Sequence, residues 1–253
     1  MLIKTIKTEK LTTYVYNTRD EMGAAAAEYA VESINRVIDE KGFANVIFAA
    51  APSQNETLAH LLSSGVDFTK INAFHMDEYL GLSIKDGQSF ATYLYTHVFS
   101  HAPFASVSYL PATLDSEAAC AAYSELLLKN PPDVVLMGIG ENGHIAFNDP
   151  PVADFNDPVL VKAVALDEIC RMQQVHDGCF PDIESVPKYA LTLTVPALMS
   201  ARYLVCTVPA PTKANAVYAM LEGEYGEICP ATALRKHDGA KMFLDSDSGA
   251  LVI

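Results

Sequence analysis

The stretch Asp133-Val134-Val135-Leu136-Met137-Gly138-Ile139-Gly140-Glu141-Asn142-Gly143-His144-Ile145-Ala146-Phe147-Asn148-Asp149-Pro150 decides how the chain is read. Its apolar start has the look of a strand buried on both faces, as in a parallel sheet. Glycines then crowd a short loop, where they permit backbone angles closed to other residues and let a ligand approach the main chain. Open α/β sheets place ligands at the C-terminal ends of their strands, so this loop is the expected floor of a site, with His144 inside it and Asp149 five residues on. The alternative is a tight strand-to-helix turn with an incidental histidine. Gly138, Gly140 and Gly143 match the spacing of a dinucleotide fingerprint, but the segment lies mid-chain and runs into His144 and Pro150, so nucleotide binding is secondary.

Working outward, apolar strand patterns alternate with helical ones almost throughout. Thr18 and Glu21 form a capping box ahead of an alanine-rich helix that Lys41-Gly42 ends. Strands are expected at 2–6, 12–16, 45–50, 71–76, 107–110, 133–137, 159–166, 202–208 and 240–244, with Pro196 opening a helix. The pattern predicts an α/β fold: a doubly wound, mostly parallel sheet with helices on both faces, a Rossmann-like three-layer sandwich. No Pro/Gly/Ser-rich linker divides the 253 residues, so a single domain over 1–253 is expected.

A formal net charge of -14 without any basic run excludes nucleic acid and anionic membranes as natural partners. The first residues lack the apolar region of a signal peptide and no run is long enough to span a bilayer, which points to a cytoplasmic protein. The five cysteines, Cys120, Cys170, Cys179, Cys206 and Cys229, fit no zinc spacing. An anionic small molecule remains a fitting partner where a few cations concentrate. Lys213 follows Pro209-Ala210-Pro211-Thr212 at a helix start, an unfavourable place for a cation unless an anion is there too. The turn Ala51-Pro52-Ser53-Gln54-Asn55 lacks the glycines of a phosphate loop but offers backbone N–H groups with Ser53 and Asn55 at another helix start. Asp77 and Glu78 end a strand as adjacent carboxylates; neighbouring side chains in an extended segment diverge, so they are expected to do different jobs. A carboxylate, an imidazole and a helix-terminal cation in one cleft suit proton transfer on an anionic substrate.

Phe74-His75-Met76-Asp77-Glu78-Tyr79-Leu80-Gly81-Leu82 and the segment Gly138 to Pro150 resemble, in order and spacing, the two signature segments of the glucosamine-6-phosphate deaminase family. Val186-Pro187-Lys188-Tyr189-Ala190-Leu191-Thr192, Thr212-Lys213-Ala214 and Pro230-Ala231-Thr232-Ala233-Leu234 with His237 resemble its later blocks, so the likeness covers nearly the whole chain. The resemblance implies an aldose–ketose isomerisation with loss of ammonia, glucosamine 6-phosphate giving fructose 6-phosphate, without metal or organic cofactor. It makes Asp77 the base that moves a proton between the second and first sugar carbons. His144 would assist ring opening with Asp149 and Asn142 beside it, and Lys213 would hold the phosphate. Ser53, Asn55, Glu78, Gly140, Gly143, Arg171 and His176 complete the expected substrate contacts. Asn142 stands where the glucosamine enzymes usually carry aspartate, Asp149 where they carry glutamate, and the arginine that closes on phosphate has no counterpart, His176 falling beside its place. Galactosamine 6-phosphate, a sugar lactone (the superfamily contains 6-phosphogluconolactonases) or a sensor role without turnover are the alternatives. Family members include monomers and hexamers, so a homo-oligomer is compatible with the resemblance.

Overall fold

Period-two apolar runs and capped helical runs take up, in the computed structural model, the alternation expected of them; it describes residues 1–253. In chain order the elements are β1 (Leu2–Thr8), β2 (Leu11–Tyr16), α1 (Arg19–Lys41), β3 (Ala44–Phe48), α2 (Asn55–Leu62), β4 (Ile71–His75), β5 (Asp77–Tyr79) and α3 (Phe90–Leu94). They continue with β6 (Ser106–Ser108), α4 (Ser116–Lys129), β7 (Val134–Met137), β8 (Val161–Ala165), α5 (Glu168–His176), β9 (Tyr189–Leu193), α6 (Val195–Met199), β10 (Tyr203–Val208), α7 (Ala214–Glu222) and β11 (Ala240–Leu244). An eight-stranded sheet runs in the order β1-β2-β11-β10-β7-β3-β4-β6. Only the β1–β2 hairpin is antiparallel; every other neighbouring pair in this sheet is parallel.

Alternation along the strands sorts the core into two halves. Ile47, Val135, Met137, Leu204, Cys206 and Met242 face one cluster, with Tyr123 and Leu127 of α4 and Val217 and Met220 of α7. Val46, Phe48, Val134, Leu136 and Val205 face the other, with Met22, Ala26, Ala30 and Ile34 of α1 and Leu58 and Leu61 of α2. Helices on both faces of a mostly parallel sheet are what such two-sided burial requires. α1 starts on Thr18, whose side chain accepts from the Glu21 N–H at 3.2 Å, and stops at Gly42 with φ of 88°. Both are the ends the capping signals specified.

Three features depart from the expected alternation. β5, β9 and β8 form a separate three-stranded antiparallel sheet rather than joining the main one. β9 reaches back to β5, with the Leu193 N–H donating to Met76 O at 2.8 Å, so the main chain around Asp77 is held by a segment more than a hundred residues later. The glycine stretch after β7 leads into no helix; it folds back on itself, with the Gly140 N–H donating to His144 O at 2.9 Å. The helical run that follows Ser89 is regular only to Leu94, after which one wider turn closes with Ser100 N–H on Tyr95 O.

The strand order locates the site. From β3 the chain works outward through β4 to β6, then returns to the other side of β3 as β7 and continues through β10. The crevice between β3 and β7, where the winding reverses, is where doubly wound sheets bind ligands.

Candidate active site

The loops leaving β3, β4, β7 and β10 line an open cleft at that crevice. Ser53 comes from the first, Asp77 from the second, Gly140 and His144 from the third, and Lys213 from the fourth. Five of the residues expected from the sequence therefore meet in one place.

Around His144, proton-handling groups are bound tightly to one another. His144 Nδ1 lies 2.7 Å from Asn142 Oδ1 and 2.9 Å from Asp149 Oδ1. Asn142 Nδ2 donates to the same Asp149 oxygen at 3.0 Å, and Asn142 Oδ1 also accepts the His144 backbone N–H at 3.1 Å. Two acceptors at Nδ1 fix the proton there and leave Nε2 as the face offered to a ligand. Burial works to raise the Asp149 carboxyl, but the bonds from His144 and Asn142 outweigh it and hold the group below its usual range. Gly140 has no side chain because a Cβ there would overlap the His144 ring. Gly143 has φ of +81°, and a Cβ would sit 2.6 Å from Cys229 Sγ, so that glycine shapes the loop from outside the cleft.

Asp77 lines the same cleft and is only 8% exposed. Burial first, and then the neighbouring Glu78, push its carboxyl well above the usual carboxylate range. A carboxylate so placed is a stronger base than one in water. Glu78 points the other way. Its Oε1 accepts the N–H groups of Tyr79 at 2.9 Å and Phe90 at 3.1 Å, and its Oε2 accepts that of Ala91 at 2.9 Å. It closes the start of α3, which removes it from the expected substrate contacts: every donor it meets is main chain. His75 belongs to the core, its Nε2 accepting the Leu110 N–H at 2.6 Å, and burial pulls its pKa down to about 3.

Lys213 also lines the cleft, 5% exposed, with no hydrogen-bond partner for Nζ. Burial lowers its pKa while Asp177 and Glu141 pull the other way. It is delivered by a short turn from Pro211 to Lys213 that feeds α7, behind Ala210 at φ of 85°. That angle is strained for a residue with a Cβ. The Asp245 carboxylate secures it, accepting the Ala210 N–H at 3.0 Å and 3.3 Å. A buried, unpaired ammonium is costly unless a ligand anion completes it. Ser53 is held in the same cleft by Gln54, whose Nε2 donates to Ser53 Oγ at 3.1 Å, Thr207 O at 3.2 Å and Met137 O at 3.3 Å, tying the β3 loop to the ends of β7 and β10.

Three expected anion contacts lie elsewhere. Asn55 accepts the Tyr93 hydroxyl on the outer side of α2. Arg171 donates to the carbonyls of Ile183 and Val186, the latter at 2.9 Å, and braces the segment after α5. His176 is more than half exposed, with Nδ1 3.5 Å from Glu141. None lines the cleft. Arg19, Gln173, Gln174, Asp177 and Thr212 do, and none was singled out from the sequence. Arg19 carried a usable signal: like Lys213, it is a cation in the first turn of a helix.

One set of side chains has metal-ligand chemistry. His144, Asp149 and Cys170 bring their donor atoms within 4.8 Å of one another. Burial raises the Cys170 thiol well above its normal pKa, and Asp149 adds to this. A metal there would have to displace the bonds at His144 Nδ1, whereas a chain of proton donors and acceptors leaves them intact. No helix is long and apolar enough to cross a membrane.

Residues 17–243 match the family described as glucosamine-6-phosphate isomerases/6-phosphogluconolactonase. Glucosamine-6-phosphate deaminase of Bacillus cytotoxicus is 32% identical over 227 residues, 89% of this chain and 84% of that protein. The enzyme of that name from Lactobacillus delbrueckii subsp. bulgaricus is 32% identical over 225 residues, covering 88% and 93%. Among solved structures, a monomeric glucosamine-6-phosphate deaminase superposes with a TM-score of 0.86 at 30% identity, over 94% of this chain and 99% of that one. The 6-phosphogluconolactonase of Thermotoga maritima shares the fold, with a TM-score of 0.74 at 21% identity over 92% and 99%. From the strand order to the glycine loop that seats His144, the chain belongs to the glucosamine-6-phosphate isomerase/6-phosphogluconolactonase family.

Proposed function

We propose that the chain is an enzyme that isomerises and deaminates an amino-sugar phosphate, glucosamine 6-phosphate giving fructose 6-phosphate and ammonia. The observation that carries this reading is the shared cleft: a buried carboxylate, Asp77, a tautomer-fixed imidazole, His144, and an unpartnered ammonium, Lys213, line one cavity. The relatives' names agree with it.

In this reading the phosphate seats against Lys213 and Ser53 at the β3 and β10 loops, which fixes the sugar's direction in the cleft. His144 Nε2 takes the proton from the anomeric hydroxyl and returns it to the ring oxygen, opening the ring to the aldehyde. Asp149 and Asn142 hold the imidazole through Nδ1 while this happens. The Asp77 carboxylate then removes the proton from the second carbon, and the electron pair moves onto the carbonyl oxygen, which takes up the proton released by the substrate's own ammonium group to give an enolamine. Returning the first proton from Asp77 to the first carbon yields an iminium at the second. Water adds there and ammonium leaves, producing the ketose. The proton moved in ring opening passes through His144 and the one moved between carbons through Asp77, and the reading calls on no metal or organic cofactor.

Asn142 and Asp149 are mutually bonded, so neither substitution breaks the hold on His144. Ammonia release from glucosamine 6-phosphate and galactosamine 6-phosphate tests the reading, with glucosamine 6-phosphate expected to be turned over faster. Release from neither sugar would remove the deaminase assignment. Hydrolysis of a sugar-phosphate lactone in its place would select the lactonase chemistry of the family, and tight binding of either sugar without turnover would select a sensor.

A further inference from the structure

The anion end of the cleft holds a second cation that the order of residues conceals. Arg19 is the first residue of α1 and lies 34 positions before Ser53 in the chain, yet both line the same cleft. Tight packing of α1 on α2 brings them together. Gly23, one turn after Arg19, is pressed against the start of α2; a Cβ there would overlap Glu56 Cβ and stand 3.0 Å from Thr57 N. The missing side chain lets α1 approach closely enough for Arg19 to reach across the α2 N-terminus. Its guanidinium donates to Pro52 O, inside the turn that carries Ser53, and its Nε lies 2.7 Å from Glu56 Oε1. Nη1 makes no hydrogen bond within the chain, and the side chain is about one-third exposed (36%) at the cleft. A guanidinium fork with one edge anchored and the other uncommitted is suited to an oxyanion. Meanwhile the arginine further along the chain, Arg171, is spent on carbonyls.

Resting on the reading of the cleft as a sugar-phosphate site, we propose that Arg19 is a phosphate-binding residue, and that α1 supplies the second positive charge opposite Lys213. The loop Ala51 to Gln54 then manages without glycines because the anion is gripped by side chains from two flanking helices, not by bare backbone. Glu56 holds the guanidinium in place while no ligand is bound and competes with the phosphate for it.

Inorganic phosphate binding to the full chain, measured by isothermal titration, tests the assignment alongside steady-state kinetics. Arg19→Gln weakens phosphate by about tenfold or more and raises KM for glucosamine 6-phosphate to match, with kcat changed far less. Arg19→Lys, which keeps the charge but not the fork, falls between. Glu56→Gln separates binding from scaffolding, because it breaks the same ion pair while removing a negative charge near the phosphate. The proposal expects Glu56→Gln to tighten phosphate binding. Unchanged phosphate affinity in Arg19→Gln overturns the assignment, as does weakening by Glu56→Gln equal to that by Arg19→Gln, or a failure of the parent protein to bind phosphate at all. If the parent binds phosphate through Arg19 but releases no ammonia from either amino sugar, the deaminase reading falls and the anion site stands.

Discussion

The two ends of the cleft are built in opposite ways. At the His144 end the side chains satisfy one another: imidazole, amide and carboxylate come from one stretch of eight residues, Asn142 to Asp149, and are cross-bonded at 2.7–3.0 Å. Around Lys213 the ammonium has no hydrogen-bond partner, and the groups that act on its charge, Asp177 and Glu141, come from just past α5 and from the glycine loop, while Arg19 and Ser53 line the same cleft from α1 and the β3 loop. One end is organised before the substrate arrives and spends little on reorganisation, as electrostatic catalysis demands. The other is left incomplete, so that binding an anion relieves a desolvation cost already present in the fold. Substitutions at the first end should therefore act on kcat, and at the second on KM.

The sharpest break in that division is Asp77→Asn. It keeps the shape and removes the base, so kcat should fall by about 10²–10⁴-fold with KM little altered. Exchange of the proton on the second sugar carbon with deuterated solvent should vanish in parallel; exchange at the parental rate would take Asp77 out of this role. Because burial and Glu78 raise the Asp77 carboxyl, the parent enzyme should lose activity on the acid side at a pH above the ordinary carboxylate range of ~4, since below that pKa the base is already protonated.

The same contrast governs how much the sequence disclosed. The alternation of strands and helices, the caps at Thr18 and Gly42 and the glycine loop after β7 are local signals, and each is where the sequence placed it. His144 and Asp149 belong to such a signal. The anion end is non-local. Nothing in the spacing of Asn55, Arg171 and His176 says that one turns to Tyr93, one to carbonyls and one outward, because those partners are assigned by packing. Nor does Asp77-Glu78-Tyr79 disclose a strand of a second sheet, since its partner β9 lies far along the chain. Arg19 was legible in principle, through the rule that drew attention to Lys213: a cation at a helix start is unfavourable without an anion. Its place in a capping box masked it.

A milder break comes from Lys213→Met. Removing a charge-assisted contact to phosphate should cost about 1.5–3 kcal/mol of binding, or roughly 10- to 100-fold in KM, with kcat within a few-fold of the parent. The same change replaces an unpaired buried ammonium by an apolar chain of similar length, so the unliganded variant should melt higher than the parent. A lower melting temperature together with an unchanged KM would show that Lys213 already has a partner and that the contrast between the two ends is false.

The smallest effect sharpens the division between adjacent carboxylates. Asp77 faces the cleft while Glu78 accepts three main-chain N–H groups, so Glu78→Gln should act chiefly on stability, with the acid limb of activity moving to lower pH as the push of Glu78 on the Asp77 carboxyl is removed. Glutamine, like the protonated carboxyl, keeps one acceptor and turns a donor toward an N–H. The difference between parent and variant therefore depends on pH. Burial pushes the Glu78 carboxyl up to about 7 against the pull of the three amides, from 4.5 in the unfolded chain. The folded protein therefore holds more protons than the unfolded chain between those values. Its stability from this group is complete below 4.5 and lost as pH rises through 7. Melting temperatures of parent and Glu78→Gln should lie closest at and below pH 4.5, where both side chains are neutral, and the parent should fall relative to the variant as pH rises through 7. A parent that instead gains on the variant as pH rises would show that the three amides hold Glu78 ionised and that burial is the weaker force at the start of α3.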